Sequence, residues 1–260
     1  MKIITCVKQV PATSEVEIDP VTGNLIRDGN DVKLNPFDLY NIETTLRIKE
    51  KLGAETVAIS MGPPQALRSL EEAMWMGLDD AVLLSDRRLG GADVVATSYA
   101  LSQGIKKLGD FDLIVCGKQT TDGDTAQVGP EIAEHLNIPH VSYVSKIIEV
   151  TDKEIVCETI LDQNIQTVSM SYPCLITVEK GIFTPRLPSY RRLRELTDKK
   201  IPVYTIDDLA DKDQTHYGLK GSPTQVERMF PPHKNTDHLI YSGEKELPKL
   251  LLKLKELKVV

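Results

Sequence analysis

Apolar residues along the chain alternate between two spacings. Short β-branched runs at Ile3 to Val10, Glu55 to Met61, Ala81 to Ser85 and Phe111 to Cys116 predict buried strands. Between them come helical patterns. The first follows Asn35-Pro36-Phe37-Asp38, with Leu39, Ile42, Leu46 and Leu52 on one face and Gly53 as its stop. Further helices are predicted over Gln65 to Met76, Asp93 to Leu108 and Glu131 to Leu136. Pro11 should close the first strand, because proline has no N–H for a central ladder. Val16 to Arg27, with Asp19-Pro20-Val21-Thr22-Gly23 at its centre, reads as a small hairpin. Strands alternating with helices of this length predict an α/β fold, a parallel sheet with helices on both faces. After about Pro139 the alternation weakens, and Val141 to Val178 holds several strands without long helices. From Glu179 the composition shifts toward Pro, Arg and Lys, and regular structure is hard to read until Leu247. Pro248 then starts a helix carrying Leu250, Leu251, Leu254 and Leu257, with lysines on its other side. Such a helix can close its own core or cover another subunit. The expected division is an α/β domain over 1–185 and a loop and arm over 186–260.

The chemistry concentrates between Cys116 and Pro130. The strand ending at Cys116 runs into a loop rich in glycine and small hydroxyl residues, and then into a helix start. That order gathers unpaired backbone N–H groups at the positive end of a helix dipole, which suits a phosphate. Asp122 and Asp124 would repel a phosphate if aimed at it. Asp124 is therefore expected to cap the helix, and Asp122 to accept from ribose or adenine donors. A capped surface loop without ligand, or an Asp-x-Asp magnesium site lacking a third oxygen ligand, are the other readings of the same residues. In a parallel sheet ligands bind at the carboxyl ends of strands. Cys6-Val7-Lys8, Ser60-Met61-Gly62-Pro63 and the chain from Gly117 onward are then candidates together. Lys8 can neutralise phosphate or be an ordinary surface lysine. The turn Gly90-Gly91-Ala92-Asp93, with Thr97 one turn on, is either a further ligand contact or a plain helix lead-in.

Composition narrows the classes. The 260 residues carry a formal charge of −7, which argues against nucleic acid as partner. The exception is local: Lys180, Arg186, Arg191, Arg192, Arg194, Lys199 and Lys200 face only Glu195 and Asp198. This strip is a solvated loop or a surface for an acidic partner. Cys6, Cys116, Cys157 and Cys174 lie in or beside apolar runs without close pairing, as expected of reduced thiols in a cytoplasmic protein. The histidines suggest no metal site, His233 and His238 being the nearest approach to one. Met1 leads straight into a strand, so neither a signal peptide nor membrane insertion is expected. Neither G-x-G-x-x-G after the first strand, nor G-x-x-x-x-G-K-[ST], nor G-x-S-x-G occurs.

Several segments together resemble the β subunit of electron transfer flavoprotein, nearly end to end. They are Val7 to Pro11, Asn35-Pro36-Phe37-Asp38, Gly91-Ala92-Asp93, Asp122 to Pro130, Pro173 to Val178 and Leu187-Pro188-Ser189. The resemblance implies an adenine nucleotide held by Cys6, Val7, Lys8, Asn35, Asp38, Met61 and Gly62. The loop residues Gly117, Lys118, Gln119, Asp122, Gly123, Asp124, Thr125, Ala126, Gln127 and Val128 would complete that site, with Asp93 and Thr97 at its edge. It also implies an α-subunit partner carrying its own FAD, around which the C-terminal arm wraps. A recognition loop at Leu187 to Arg194 would dock an acyl-CoA dehydrogenase-type or lactate dehydrogenase-type flavoprotein through Tyr190, Arg191, Arg192, Leu193 and Arg194.

Gly218 to Val226 resembles the tail of the electron-bifurcating members, which bind FAD where others bind AMP. The implied chemistry is hydride uptake from NADH and division of its electrons between ferredoxin or flavodoxin and the dehydrogenase. The other readings are an AMP-binding β subunit that leaves electron transfer to the α-subunit FAD, and a non-redox adenine-nucleotide sensor. One departure stands out. The family's glycines ahead of Pro173 are missing, and Thr159 to Asn164 reads Thr-Ile-Leu-Asp-Gln-Asn, which puts the local turn in question.

Overall fold

In a computed structural model the described residues are 1–12, 17–18, 25–26, 32–226 and 239–259. They fall into two compact units, Met1–Val226 and Glu227–Val260. His233 and His238 lie outside the described residues. The segment from 186 to 226 belongs to the first unit and not to the arm, because it adds a strand to the sheet, as described below.

The first strand is shorter than its apolar run predicts. β1 spans Lys2–Cys6, and a separate β2 spans Gln9–Pro11. β3 (Glu17–Ile18) and β4 (Leu25–Ile26) pair antiparallel as the expected hairpin. β5 (Val32–Leu34) returns antiparallel to β2, outside the main sheet. The break comes at Val7 and Lys8. The Val7 N–H still bonds the Ile59 carbonyl at 2.9 Å, but the Lys8 N–H donates to Asp38 Oδ2 at 2.7 Å and its carbonyl accepts from the Asn35 N–H at 2.9 Å. Pro11 thus ends β2 instead of closing one long strand.

The alternation then follows the sequence. α1 (Asp38–Leu52) ends at Gly53, whose φ of 68° supplies the left-handed cap. β6 (Glu55–Met61), α2 (Leu67–Met76), β7 (Asp80–Leu84), α3 (Val94–Lys107), β8 (Leu113–Gly117) and α4 (Val128–Leu136) follow. β9 (His140–Val150), β10 (Glu154–Leu161) and β11 (Asn164–Ser171) form an antiparallel meander before β12 (Cys174–Val178). The glycine-free segment still turns tightly, with only Asp162 and Gln163 between β10 and β11. α5 (Tyr190–Glu195) and β13 (Val203–Tyr204) complete this unit. In the second unit α6 (Leu247–Glu256) has Pro248 in its first turn, and Leu251, Leu252 and Leu257 are exposed.

The main sheet has the order β11-β10-β9-β12-β8-β1-β6-β7-β13. It is parallel from β9 through β12 to β13, with the antiparallel meander at one edge. Successive strand residues face opposite layers. Ile4, Ile114, Cys116 and Leu175 pack with Ala100, Leu101 and Ile105 of α3 and Ile132 and Ala133 of α4. On the opposite layer, Val7, Ala58 and Leu83 meet Ile42 and Leu46 of α1 and Leu70, Ala73 and Met74 of α2. Helices therefore cover both faces, as the α/β pattern predicts. β1 is followed in sequence by strands on one side (β6, β7) and then by β8 on the other. The carboxyl ends of β1 and β8 consequently diverge at a topological switch point, where a crevice opens.

One polar cluster fixes the 186 segment to this body. Glu43 of α1 is buried, and its carboxylate takes Arg186 Nε at 2.8 Å and Arg47 Nε at 2.7 Å. Burial pushes the Glu43 carboxyl up, but the hydrogen bonds from the two guanidinium groups outweigh it and its pKa is lowered. A depressed acid stabilises the fold above its ordinary value of 4.5 and loses that contribution as pH falls through the folded value. Arg186→Ala should therefore lower the unfolding free energy by about 3 kcal/mol at neutral pH, the scale for stripping a partner from a buried charge. In urea titrations the gap between wild type and variant should shrink below pH 4.5; a gap independent of pH would show that packing, not charge, holds the segment.

Candidate functional site

The crevice between the ends of β1 and β8 is assembled around two buried polar residues just before and within the first turn of α1. Asn35 Nδ2 donates to the Gln119 carbonyl at 2.9 Å, and its Oδ1 accepts from the Thr121 N–H at 3.3 Å. Asp38 receives the Lys8 N–H. Asn35-Pro36-Phe37-Asp38 thereby clamps the β1 end to the loop after β8. Gly117 is required for this approach, since a Cβ there would stand 2.5 Å from Asp38 Oδ1 and 3.1 Å from the Phe37 carbonyl carbon. Burial pushes Asp38 up to about 7, offset in part by the Lys8 N–H.

The loop itself departs from one expectation. Asp124 does not cap the helix: α4 begins at Val128 after Gln127, with no side-chain cap. Asp124 instead has a left-handed backbone, φ 54°, its N–H donates to the Thr120 carbonyl at 3.0 Å, and its Oδ1 accepts from Gln119 Nε2. Ala126 is left-handed too, at φ 56°. Three residues separate Asp124 from the helix, so its carboxylate closes the loop on itself. Two left-handed residues followed by a helix start turn successive N–H groups toward one side, an anion-binding arrangement. Among the described residues, the N–H groups from Thr125 to Gly129 donate to no protein acceptor. Gly123 and Thr125 are exposed in this loop, and Gln127 and Val128 bring it into α4.

Two cations flank the loop, each held by a carboxylate. Lys8 Nζ lies 2.8 Å from both oxygens of Asp122. Burial pushes the Asp122 carboxyl up, but the hydrogen bonds from Lys8 outweigh it and its pKa is lowered. Lys118 Nζ lies 2.7 Å from Glu179 Oε1, at the end of β12, and 5.0 Å from the centre of the Tyr143 ring. The remaining expected residues line the same strand ends. Cys6 and Cys116 face each other across the β1–β8 seam; their hydrogen bond and burial push the Cys116 thiol well above its ordinary range. Val7 is buried, and Met61 packs on the core beside Cys6. The Gly62 N–H bonds the Leu84 carbonyl at 3.0 Å, closing the β6 end onto β7.

Asp93 stands apart. It caps α3 through the Ala96 N–H at 3.1 Å and accepts the Thr224 N–H and hydroxyl at 2.9 and 2.8 Å, while its own N–H reaches Ser222 Oγ at 2.8 Å. Its carboxylate is thus committed to binding the 218–226 segment to α3. Thr97 is half-buried on the next turn, beside Ser98, which donates to Glu131 of α4 at 2.9 Å. Among the described residues no group of three or more His, Cys, Asp or Glu side chains comes together as a metal site.

Sequence reasoning missed Glu179, Tyr143, Ser222 and Thr224. Glu179 carried a signal, a carboxylate directly after the largely apolar run Cys174–Val178 and so at the end of that strand. Ser222 and Thr224 had none, since only folding brings them to Asp93.

The docking segment also needs correction. Arg192 is not free for a partner: its Nε donates to the Met74 carbonyl at 2.8 Å and its Nη2 to the Leu78 carbonyl at 2.6 Å, pinning α5 to the end of α2. Leu193 is 36% exposed and also lines a cavity of about 250 Å³ with Met74, Trp75 and Leu196. Tyr190 at 74% and Leu187 at 87% are exposed, as is Arg194. Arg191 is exposed and paired with Glu195 at 2.7 Å.

Comparison with known proteins adds relatives of the whole chain. The electron transfer flavoprotein domain matches residues 22–210. An electron transfer flavoprotein subunit beta of Clostridium acetobutylicum is 47% identical over 228 residues, 88% of this chain and 87% of that protein. One from Thermoanaerobacterium thermosaccharolyticum is 44% identical over 94% of this chain and 93% of its own length. The caffeyl-CoA reductase-Etf complex subunit CarD of Acetobacterium woodii is 43% identical over 92% of each.

Asp38 gives the crevice a pH signature. Its folded pKa lies above the ordinary 3.8, near 7, so the folded chain holds the proton more tightly than the unfolded chain between those values. Its contribution is fully present below 3.8 and is lost as pH rises toward 7. Asp38→Asn keeps an acceptor for Lys8 without the titration. In urea unfolding, wild-type stability relative to the variant should fall by on the order of 1 kcal/mol per pH unit across that window; a constant difference would contradict the buried carboxyl.

Proposed function

The chain belongs to the electron transfer flavoprotein family, as a β subunit, and on that footing we propose that its crevice carries FAD in a cytoplasmic, electron-bifurcating complex with an α subunit. In this reading the complex takes hydride from NADH and divides the electrons between ferredoxin or flavodoxin and a dehydrogenase flavoprotein of acyl-CoA or lactate type. The observation that carries the proposal is the run of N–H groups from Thr125 to Gly129 at the start of α4, flanked by Lys8 and Lys118. That donor set fits the phosphates of an adenine nucleotide.

A flavin bound there supplies one- and two-electron chemistry. The residues of this chain bind and orient it. Asn35 and Asp38 hold the loop against the β1 end, so the N–H groups are positioned before a ligand arrives. Lys8 and Lys118 place positive charge on either side. The choice of FAD over AMP is supported by the likeness of Gly218–Val226 to the bifurcating members, a segment that Ser222 and Thr224 fasten to Asp93. For the dehydrogenase, the exposed Leu187 and, on the short helix that follows, Tyr190 with Arg191 and Arg194 suit an apolar anchor framed by cations for an acidic partner surface. The name of the Acetobacterium relative, a subunit of a caffeyl-CoA reductase-Etf complex, is in keeping with such an assembly.

Cofactor content tests the proposal. Denaturing the purified two-subunit complex and separating the released nucleotides should give two FAD and no AMP; one FAD with one AMP would refute FAD in this crevice while keeping the family. Docking is tested separately. Tyr190→Ala should slow reduction of the dehydrogenase by roughly tenfold, the loss of an interface anchor, with FAD content and stability unchanged. Arg192→Ala should lower the unfolding free energy by about 1–3 kcal/mol as α5 loses its bonds to the Met74 and Leu78 carbonyls. An unaltered rate for the tyrosine variant would move the docking surface elsewhere.

A further inference from the structure

Tyr143 has a backbone that a tyrosine rarely adopts, with φ at 60°. It lies in a bulge of β9. Val141 pairs with Ile176 and Val144 with Val178, so two residues of β9 stand opposite the single Thr177. The left-handed turn is held from both sides. The Tyr143 N–H donates to Thr177 Oγ1 at 3.0 Å, and Thr159 Oγ1 donates to the Ser142 carbonyl at 2.6 Å and reaches the Tyr143 carbonyl at 3.3 Å. Both threonines are buried. A regular β9 would lack the extra residue, and bulges of this kind re-aim a side chain next to functional sites.

The ring is aimed at Lys118. The ammonium lies 5.0 Å from the ring centre and 2.7 Å from Glu179 Oε1. Glu179 is fixed to the same bulge, its N–H donating to the Val144 carbonyl at 2.9 Å. Lys118 is fixed to β12 by its N–H on the Val178 carbonyl at 3.1 Å. An ammonium has three N–H donors and a flexible stem. With one donor on the carboxylate and the ring attracting the charge from another side, the third is left for an anion at the crevice. Without the ring, the stem is free to fold onto Glu179 and the charge is spent there.

We propose that Tyr143 is a positioning residue of the nucleotide site: its bulge-held ring keeps the Lys118 ammonium at the mouth of the crevice, available to a phosphate of the adenine nucleotide. The inference rests on the crevice binding such a nucleotide, as set out above. It assigns a purpose to the unfavourable backbone, which packing alone does not require.

The test separates the ring from the backbone. Asparagine tolerates left-handed φ better than tyrosine, so Tyr143→Asn keeps the turn and removes the ring. AMP and FAD are titrated separately by calorimetry into the nucleotide-depleted two-subunit complex, and urea midpoints are measured on the same samples. Tyr143→Asn should raise the Kd about tenfold while leaving the midpoint unchanged or higher, and Tyr143→Phe should retain wild-type affinity. In a Lys118→Met background, Tyr143→Asn should weaken binding no further. Equal losses of affinity and midpoint, or an undiminished effect of Tyr143→Asn without Lys118, would overturn the proposal. Wild-type complex that takes up neither AMP nor FAD would overturn the nucleotide site and this role together. Wild-type uptake with an indifferent Tyr143→Asn would overturn this role alone.

Discussion

The carboxyl group of Asp38, held out of water where β1, α1 and β8 meet, is the constraint from which the crevice takes its shape. It captures the Lys8 N–H, and this bends the chain out of the main sheet after Cys6. It also demands glycine at 117, because the first turn of α1 presses on that position. Asn35, three residues earlier, carries the same clamp to Gln119 and Thr121. A buried polar group without partners costs several times what one hydrogen bond contributes. The clamp is therefore cooperative: withdrawing any member strands another in the interior. Such a cluster fixes a loop in place better than apolar packing, which tolerates sliding.

The same cluster explains what the sequence revealed and what it hid. Helix and strand boundaries in the parallel half were legible, because Gly53, the apolar face of α1 and the run Leu113–Cys116 each obey a local rule. The divided first strand was not. Ile3 to Val10 contains no glycine, proline or other turn residue, and the bend is imposed by residues about thirty positions away. Asp124 misled for a related reason. Aspartate before a helix usually caps it, but left-handed turns at Asp124 and Ala126 lengthen the loop beyond the reach of its carboxylate. The crevice itself was legible as a strand, a glycine-bearing turn and a helix start. Its rim was less so, because Tyr143 and Glu179 come from β9 and the end of β12, whose order in the sheet is not their order in the chain.

The basic strip from Lys180 to Lys200 shows how folding rewrites a charge pattern. Arg186 is consumed by Glu43 and Glu50, Arg192 by two carbonyls at the end of α2, Lys199 by Asp80 and the Asp79 carbonyl. These cations hold the segment on the body. What remains facing outward is a smaller set, Lys180, Lys200, and Arg191 and Arg194 near the exposed Tyr190 and Leu187. A rim charge adjusts the rate of encounter more than the strength of a complex, whereas an exposed aromatic carries the strength. Holding the segment and, on the proposed docking reading, meeting a partner are thus divided between neighbouring residues in and around α5.

On the proposed nucleotide reading, a similar division governs how the crevice would hold an anion. Lys8 with Asp122 and Lys118 with Glu179 are partly exposed pairs, and pairs of that kind contribute about 0–1 kcal/mol each. A hydrogen bond from a backbone N–H to a charged oxygen contributes about 1.5–3 kcal/mol. Loosening both pairs thus costs less than one or two N–H bonds along Thr125 to Gly129 contribute. Each lysine already has a counter-charge, so on the proposed nucleotide reading most of a phosphate's binding energy comes from oriented backbone dipoles at the start of α4, and the Lys118 ammonium beside Tyr143 adds a smaller share. On that reading selection rests on the placement of the N–H groups, and that placement returns to the clamp between Asp38, Asn35 and the loop.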